Sequence, residues 1–391
     1  MRNVRLLAVF LTGLGLLLVR PAGAADRFVG RKGSDAANDC TASAAPCRTV
    51  AAAIAQAGAG DTIKIATGSF AEALTAPATP LTLSGGWTTD FVSQDPVAHP
   101  TTIRRLGAAV QSLLTVDGSA DLVVDGVVFS NASSKAYALL VDPAAPGDVH
   151  LTLSRTVFTH DKTPIGIFGS GVVSVDVVLS RCQVTGAAGS PAIRVGALSG
   201  AAMTVRIENT LIARNSGTKF RDLPYEPGAG AALDLTTFLD GSSLAVDVVH
   251  STLTQNRSNT FGGAVLLDGN VTLTLQNTVD QGNLGPTFIH PSMPIDVTVR
   301  YGATLRMDHS DVGVVDVPLG GGTVVDLGGN TSVAAGFVNP KRDFHLLATS
   351  PLVDAGADAG VTVDLDGHAR PQDGNGDTVA VSDVGAYERL P

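Results

Sequence analysis

The chain repeats one short unit many times over its middle two thirds. Two adjacent copies run LAVDVVHSTLTQN from Leu244 and VTLTLQNTVDQGN from Val271. Each copy begins with apolar residues at alternate positions, followed by a polar pair, a Thr and an apolar residue. An Asn follows five or six positions after the polar pair. A unit this short cannot bury its own apolar face, so copies of it must stack on one another. The repeat therefore predicts a solenoid.

Aligning the central Thr, or the residue that replaces it, places six copies in register. The aligned positions are Thr156, Cys182, Thr210, Thr252, Thr278 and Asp311, at intervals of 26, 28, 42, 26 and 33 residues. A looser copy begins earlier, at Asp121. Intervals of this size are typical of solenoids in which each coil carries only a few short elements.

The segments within each period read as strands, because they are short, rich in Val, Ile and Leu, and bounded by Gly-rich turns. The composition is 44% hydrophobic but only 5% aromatic, which suits a core of small β-branched side chains. We therefore predict an all-β fold, a right-handed parallel β-helix solenoid of about ten coils spaced by about 4.8 Å. Val265, Leu267, Leu273 and Leu275 are expected to point inward.

Residues 1–24 are typical of a secretory signal peptide. Arg2 and Arg5 precede an apolar run from Leu6 to Val19, and Ala22-Gly23-Ala24 resembles a cleavage site. The run is too short to cross a bilayer, and no later segment of the mature chain is long and apolar enough. Because Ala25, not a lipid-accepting Cys, would follow the cut, we expect a secreted, extracellular protein without an anchor.

The remaining chain divides by composition into three parts. Residues 25–60 are expected to form an N-terminal cap, in which Thr49 begins a short helix whose face of Val50, Ala53, Ile54 and Ala57 covers the first coil. Residues 61–340 are expected to hold the β-helix coils. Residues 341–391 lose the repeat and gain Asp, Gly and Pro, which predicts a loop-rich C-terminal cap.

The net charge limits the classes of binding partner, and the cysteines indicate the cellular compartment. Without the signal the chain has 23 basic and 36 acidic residues, a net charge of about −13, which disfavours nucleic acid and anionic membranes as partners. Cys40 and Cys47 are spaced to close a small disulfide loop outside the cell. Cys182 replaces Thr in the repeat and is expected to be a small buried residue.

Polar residues recur at the turns of the repeat. Asn side chains tolerate left-handed backbone and bond nearby amides, so a stack of them can stabilise a repeated turn. We interpret the recurring positions as structural and not as ligands: Asn131, Asp161, Asn209, Asn215, Asn256, Asn277 and Asn283. The single histidines are expected at the surface: His99, His150, His160 and His250.

Two intervals exceed a plain coil and predict inserted loops, at residues 214–230 and 283–296. Binding residues tend to concentrate in such loops, although many loops are only solvated excursions. The first loop brings a basic side chain close to two acids, the combination that proton abstraction from an acidic sugar needs. The candidate catalytic residues are therefore Arg221, Asp222 and Glu226.

The two ends of the chain resemble known secreted proteins. SPLVDAG at 350–356, DLDGHARP at 364–371 and DVGAYE at 383–388 are similar to the ending of the choice-of-anchor Q domain family. The opening, from VGRKGSDAANDC to IKIATGSF, is similar to the start of many pectin-lyase-like β-helix proteins. The resemblance implies a bacterial surface or secreted β-helix and no shared catalytic motif. The sorting signal that often ends such chains does not follow Glu388.

The acid-rich C-terminal segment predicts one possible metal site. Asp373, Asn375 and Asp377 have the spacing that begins a calcium loop, although Thr378 and Val384 stand where a helix-loop-helix site has Gly and Glu. Further oxygen ligands could come from Asp364, Asp366 and Asp383, giving a looser Ca²⁺ site. The alternative is a set of turns that binds nothing.

Two classes of function remain open at this point. The regular repeat, without a convergent set of ionisable groups, favours a non-catalytic secreted or surface β-helix that acts in adhesion, polysaccharide or cell-surface glycan binding, or envelope structure. The alternative is a carbohydrate-active enzyme, a polysaccharide lyase or glycoside hydrolase, with its groove beside the inserted loops.

Overall fold

The protein is a right-handed parallel β-helix with a single helix in its described part, as the repeat predicts. A computed structural model describes residues 23–391 apart from 109, 134, 145–146, 172, 218–229, 239–240, 260 and 286–292. Most of the predicted signal peptide lies outside the described residues, as do the candidate residues Arg221, Asp222 and Glu226. The same holds for most of the predicted inserted loop 214–230 and for half of the loop 283–296.

Three parallel sheets form the faces of the coil, and the strands are numbered β1 to β33 in chain order. Sheet A contains β1 (Asp26–Val29), β2 (Asp61–Ala66), β5 (Leu81–Trp87), β8 (Ala120–Asp125), β11 (Gly147–Ser154), β14 (Val173–Ser180), β17 (Ala202–Glu208), β21 (Ser243–Val249), β25 (Val271–Gln276), β28 (Thr304–Asp308) and β31 (Thr323–Asp326).

Sheet B contains β3 (Gly68–Ala71), β6 (Thr101–Arg104), β9 (Val127–Ser130), β12 (Val157–Thr159), β15 (Gln183–Thr185), β18 (Leu211–Ala213), β22 (Thr252–Thr254), β26 (Val279–Gln281) and β29 (Asp311–Val312). Sheet C contains β4 (Leu74–Thr75), β7 (Leu114–Val116), β10 (Leu139–Val141), β13 (Ile165–Ser170), β16 (Ile193–Leu198), β20 (Leu233–Phe238), β24 (Val265–Asp268), β27 (Val297–Arg300) and β30 (Val315–Asp316).

Two small sheets complete the strands. A parallel pair joins β19 (Ser216–Gly217) to β23 (Arg257–Ser258), and an antiparallel pair joins β32 (Phe337–Asn339) to β33 (Asp343–Leu346). Both lie outside the three faces of the coil. The second pair leads into the C-terminal segment, residues 341–391, which we call the tail and which contains β33.

The core is a set of apolar columns that run along the solenoid axis. In sheet A, Leu151, Val177, Val205, Val246 and Leu273 follow one another strand to strand. All of them are buried, because alternate residues of a strand face the same side and the pairing keeps one register across these five strands. The predicted inward residues Val265, Leu267, Leu273 and Leu275 are all fully buried, so that prediction is confirmed.

A ladder of hydroxyl groups lines the turn between sheets A and B. Its members are Thr156, Cys182, Thr210, Ser251, Thr278 and Ser310, and from Thr210 onward each hydroxyl accepts the amide of the preceding member. The alignment from sequence is wrong at two coils, where it chose Thr252 and Asp311. Those residues lie one position later and pair with Leu211 and Val279 in sheet B. At these two coils the ladder residue, Ser251 or Ser310, is followed directly by a second polar residue. The repeat pattern does not distinguish between the two neighbours.

Cys182 is a buried member of this ladder, as predicted. Its thiol contacts the carbonyl oxygens of Leu153 and Ser180 at 3.5 Å. Burial raises the pKa of the thiol to about 12, so it stays protonated. The disulfide between Cys40 and Cys47 is also confirmed.

A second ladder, of Asn side chains, lies at the turn after sheet B. Asn215 donates to the Oδ1 of Asn256 at 3.0 Å, and Asn256 donates to that of Asn283 at 3.0 Å. Each amide group also donates to a backbone carbonyl of an earlier coil. These contacts confirm the structural interpretation of the three residues, since every polar atom of the stack bonds within the protein.

The N-terminal helix spans Val50–Gln56, and its Thr49 cap accepts the Ala52 amide at 3.2 Å. Val50 and Ala53 are fully buried, and Ile54 and Ala57 pack on the same core. Glu72 accepts the free amides of Val50 and Ala51, at 3.1 and 2.9 Å. No helix within the described residues is long and apolar enough to cross a membrane.

The tail lies along the side of the solenoid, whereas a position over the last coil was expected. Ala386 donates its amide to the Thr252 hydroxyl, and Ala357 exchanges two hydrogen bonds with the Asn277 side chain. Apolar residues of the tail cover the outer side of sheet B, with Phe344, Leu365 and Tyr387 packed on Leu211. The tail follows this route because sheet B offers apolar outer residues there.

Candidate functional site

The outer surface of sheet B has an open half and a covered half. Side chains at alternate positions of a strand point outward, and pairing places them in two columns along the solenoid. On β6, β9, β12 and β15 these outward residues are partly or fully exposed, and we call them the open face: Thr102, Arg104, Val128, Ser130, Val157, Thr159, Gln183 and Thr185. From β18 onward the tail covers the same columns, and Leu211, Ala213, Thr252 and Thr254 are at most 5% exposed.

A groove of about 450 Å³ lies where the open face meets the tail. Its floor is formed by Val128, Val157 and Gln183. Asp95, Pro96 and Val97 form one wall, and the tail residues Leu365 and Asp366 form another. Two arginines, Arg155 and Arg181, also line it. The groove therefore combines an apolar floor with charged and amide side chains, as ligand sites commonly do.

The fold fixes both arginines at the same turn of successive coils. Each lies before a sheet B strand with a left-handed backbone, at φ of 47° for Arg155 and 55° for Arg181. Gly126 and Asn209 occupy this turn in the coils on either side, with φ of 66° and 46°. Consecutive coils therefore present two guanidinium groups one coil spacing apart, about 4.8 Å along the axis.

Arg155 is held in place by a carboxylate. Its Nε donates to the Oδ1 of Asp125 at 2.8 Å, and its Nη2 bonds to the other Asp125 oxygen and, at 3.2 Å, to the Oε1 of Gln94. This fork-shaped pair raises the pKa of Arg155. The charge of Arg155 is thus largely balanced before any ligand arrives.

Arg181 has no carboxylate within ion-pair distance among the described residues. Its Nε donates to the carbonyl oxygen of Leu365 at 3.3 Å. Its Nη2 lies 2.6 Å from the position that a Cβ would occupy on Gly367, so only a glycine there leaves room for the guanidinium. The tail therefore positions this cation in the groove through a backbone carbonyl, and its Asp366 attracts the guanidinium from beyond ion-pair distance.

The tail wall of the groove is fixed by a partly exposed ion cluster around His345. Its Nδ1 contacts Asp343 at 2.6 Å, and its Nε2 contacts Asp366 at 2.9 Å. The hydrogen bond to Asp366, together with that to Asp343, raises the pKa of His345 to about 9 despite partial burial. The ring also lies 4.1 Å from that of Tyr387. At neutral pH, Asp366 therefore faces a charged imidazolium.

The six predicted calcium ligands are distributed over separate turns. Asp364 accepts the amides of Gly367, His368 and Glu388, and Asp383 accepts those of Asp354 and Arg389. The remaining four bond locally: Asp373, Asn375 and Asp377 accept amides of the loop 376–379, and Asp366 pairs with His345.

Within the described residues there is no group of three or more His, Cys, Asp or Glu side chains placed to hold a metal ion. Backbone amides bond to five of the six side chains and His345 bonds to Asp366, so each one has a structural role without an ion. The calcium site stays a prediction. Melting curves in EDTA and in millimolar calcium would test it.

An ion pair inside the tail connects the motifs that suggested a family. Arg370 of the DLDGHARP segment bonds to Glu388 of the DVGAYE segment, and both side chains are fully buried. Arg370 also donates to the carbonyl oxygens of Asp383 and Gly385. Burial raises the pKa of Glu388, to about 7, and the guanidinium opposes that shift. These motif residues therefore hold the tail together.

One histidine differs from its predicted position. His250 is fully buried under the tail, whereas His150 and His160 are exposed and His99 is partly exposed. Its Nε2 lies 2.9 Å from the amide nitrogen of Asn277, and burial lowers its pKa to about 3. The prediction is wrong for His250 because the repeat gives no sign that a distant segment returns to cover this turn.

The groove and both of its arginines were not predicted from sequence. Catalytic residues were expected in the inserted loops, whereas none of the residues lining the groove belongs to them. A signal was present: SRT at 154–156 and SRC at 180–182 place Arg at the same point of two consecutive repeats. The tail residues that complete the groove could not be assigned to it, since they are more than 180 positions away.

Comparison with known proteins gives similarity at the level of the fold. Among solved structures, a pectate lyase, Pel9A, matches with 16% identity over 94% of this chain and 98% of that chain, at a TM-score of 0.49. A rhamnogalacturonan lyase matches with 12% identity over 81% and 91% of the two chains, at a TM-score of 0.24. No protein-family profile matches. No curated protein sequence matches either.

Proposed function

We propose that this chain is a secreted β-helix protein that binds a polysaccharide carrying acidic groups along the open face of sheet B. The observation that supports it best is Arg181, a cation that lines the groove beside an apolar floor and has no carboxylate partner among the described residues. Sugar rings offer apolar faces and hydroxyl groups, which suit Val128, Val157 and Gln183, and an acidic substituent suits Arg181.

The compartment and the family are part of the same proposal. The predicted signal peptide, the confirmed disulfide and the acidic composition support an extracellular protein. The resemblance of the tail motifs to the choice-of-anchor Q ending is consistent with a bacterial surface or secreted chain. Adhesion and envelope structure are roles that such binding would serve.

The test is a binding assay on a panel of acidic and neutral polysaccharides, with salt titration. We expect binding to an acidic glycan that weakens with salt, because exposed charge contacts are screened. Arg181→Gln should weaken it by about tenfold, the loss of one charge-assisted contact. Arg342→Gln, an exposed arginine of the tail that does not line the groove, is the matched control. Equal affinity of wild type and Arg181→Gln for every glycan would overturn the proposal.

Cleavage of the glycan is the second candidate function. Arg181 and the carboxylates of Asp95 and Asp366 line the same groove, the combination that proton abstraction from an acidic sugar needs. A lyase would form an unsaturated product that absorbs ultraviolet light, and Arg181→Gln should abolish its formation. Arg221→Ala tests the loop residues proposed from sequence in the same assay. Binding without any product would leave the non-catalytic function.

A further inference from the structure

We propose a second anion-binding subsite at the N-terminal end of the open face, formed by Arg31, Arg48 and Arg104. This inference rests on the proposed function, because it assigns to the subsite an acidic group of the same polysaccharide chain. The subsite and the groove would then hold one glycan at two points.

The three arginines line a pocket of about 270 Å³. Thr49, Ser69 and Glu72 supply its other polar groups, and Phe70 and Ala71 complete it. The cations come from three separate segments: the loop after β1, the residue before the helix cap, and strand β6. Their convergence is therefore a product of the fold and not of neighbouring positions in the sequence.

None of the three guanidinium groups has a carboxylate within ion-pair distance among the residues that the structure describes. Arg104 donates its Nε to the Ser69 hydroxyl at 2.7 Å, which orients it. The stem of Arg31 packs on Gly68, where a Cβ would lie 3.0 Å from its Cδ.

The pocket is lined by three arginines and one acid, Glu72, so its net charge is positive. Both oxygens of Glu72 accept amides of the helix, from Val50 and Ala51. Cations gathered in this way attract an oxyanion, which the planar guanidinium binds with two hydrogen bonds.

The pocket and the groove lie on one surface. Arg104 on β6 is followed by Ser130, Thr159 and Thr185 on the next three strands. Three strand spacings amount to roughly 14 Å. Between the two ends the open face shows only hydroxyl groups and valine side chains. Arg104 is level with Thr185 in the pairing register, four residues after Arg181 and therefore at the opposite edge of sheet B. A linear polysaccharide that crosses the open face obliquely would meet cations at both ends and sugar-compatible side chains between them.

The oxyanion could be a uronate carboxylate or a sulfate ester, and two ligand series distinguish them. Oligogalacturonates from the dimer to the octamer carry only carboxylates, and heparin-derived oligosaccharides of matching lengths also carry sulfates. Isothermal titration calorimetry with the full mature chain would measure affinity as a function of length. The variants are Arg104→Gln, Arg31→Gln, Arg181→Gln and, as control, Arg342→Gln, each checked for an unchanged melting curve.

In one series or the other, affinity should rise sharply at the length that reaches both subsites. Arg104→Gln and Arg31→Gln should each lower the affinity of the long oligomers by about tenfold and leave that of the dimer unchanged. Arg181→Gln should weaken the binding of every length. If Arg104→Gln is perturbed in folding, Arg31→Gln, with an exposed side chain, decides the question.

The outcomes separate the two proposals. Wild-type affinity of Arg104→Gln and Arg31→Gln at every length, with weakened Arg181→Gln, would overturn the second subsite and leave the groove. Weakened Arg104→Gln with unaffected Arg181→Gln would leave the subsite and overturn the groove. The absence of binding in both series would overturn both.

Discussion

The two halves of sheet B are built from the same repeat, yet one is open and the other is covered. Val157, Gln183 and Leu211 occupy one column on neighbouring strands. Val157 and Gln183 are partly exposed, whereas Leu211 is 5% exposed beneath the tail. The covering comes from the 51 residues after position 340, which pack on the apolar outer side chain of Leu211.

This comparison shows how a regular solenoid acquires a local site. A uniform β-helix presents the same shallow surface at every coil. The region that the tail covers ends between β15 and β18. At this boundary the tail contributes Leu365 and Asp366 to the groove. The groove therefore exists only where the tail stops, and whatever detaches the tail should remove the groove.

The largest expected effect is that of Arg370→Met. It leaves the Glu388 carboxylate buried without its counter-charge, which typically destabilises by about 3 to 5 kcal/mol. Hydrogen exchange should show lost protection across the tail and in β18 and β22, with β9 and β12 unchanged. Arg342→Met is the surface control. Equal loss of protection in both halves would show that the tail and the coils unfold as one unit.

A matched pair of substitutions compares the halves directly. Leu211→Asp places a carboxylate against Phe344, Leu365 and Tyr387, and should lower the free energy of unfolding by about 3 kcal/mol. Gln183→Asp, at the paired position one strand earlier, should change it by less than about 0.5 kcal/mol. Urea unfolding of both variants measures the difference. Similar values would mean that the tail does not cover Leu211 in solution.

The coil could be predicted from sequence because its causes are local. Alternating Val, Ile and Leu place Leu273 and Leu275 in the core, and a strand has only two faces. Cys182 and the Asn ladder follow from the same period. The exact alignment of residues within each repeat was harder to predict, because two adjacent polar residues fit the pattern equally well. Thr252 and Asp311 were misaligned by one position for this reason.

The groove could not be predicted, because its causes are long-range. No pattern indicates that Leu365 returns to Arg181, since the hydrogen bond between them spans 184 positions. The tail acids were interpreted as possible metal ligands because Asp and Gly at short spacing are common to calcium loops and to ordinary turns. The backbone amides that bond to Asp364 and Asp383 distinguish an ordinary turn from a calcium loop. Those hydrogen bonds form only in the folded tail.

A smaller effect concerns a position where the open half departs from the Asn ladder. Asp161 lies at a turn equivalent to that of Asn215, and one of its oxygens accepts the Ala132 amide while the other is buried without a partner. Burial raises the pKa of Asp161 from 3.8 to about 7. The folded chain therefore holds a proton on Asp161 more tightly than the unfolded chain does. This proton contributes its full stabilisation below about pH 4, and the stabilisation is lost as the pH rises through 7.

Asp161→Asn removes this titration. Its amide nitrogen gains the ability to donate a hydrogen bond to the backbone of an earlier coil, as the Asn215 amide does. We expect the variant to be more stable than wild type at pH 8, by on the order of 1 to 3 kcal/mol, with a smaller difference at pH 5. Asn215→Asp is the converse control and should be less stable, most strongly at pH 8. A pH-independent difference for Asp161→Asn would show that the carboxyl does not titrate in this range.

The smallest expected effect belongs to His345, which fixes the edge of the covered half. Its pKa is raised to about 9 by Asp366 and Asp343, so the charged ring stabilises the folded chain fully below about pH 6.5. That stabilisation is lost as the pH rises through 9. Because the side chain is 41% exposed, solvent screening limits the effect to less than about 1 kcal/mol.

His345→Gln should therefore be slightly less stable than wild type at pH 6 and equally stable at pH 10. Thermal unfolding at the two pH values measures the difference, and a gap that persists at pH 10 would assign the role of His345 to its packing on Tyr387 and not to its charge.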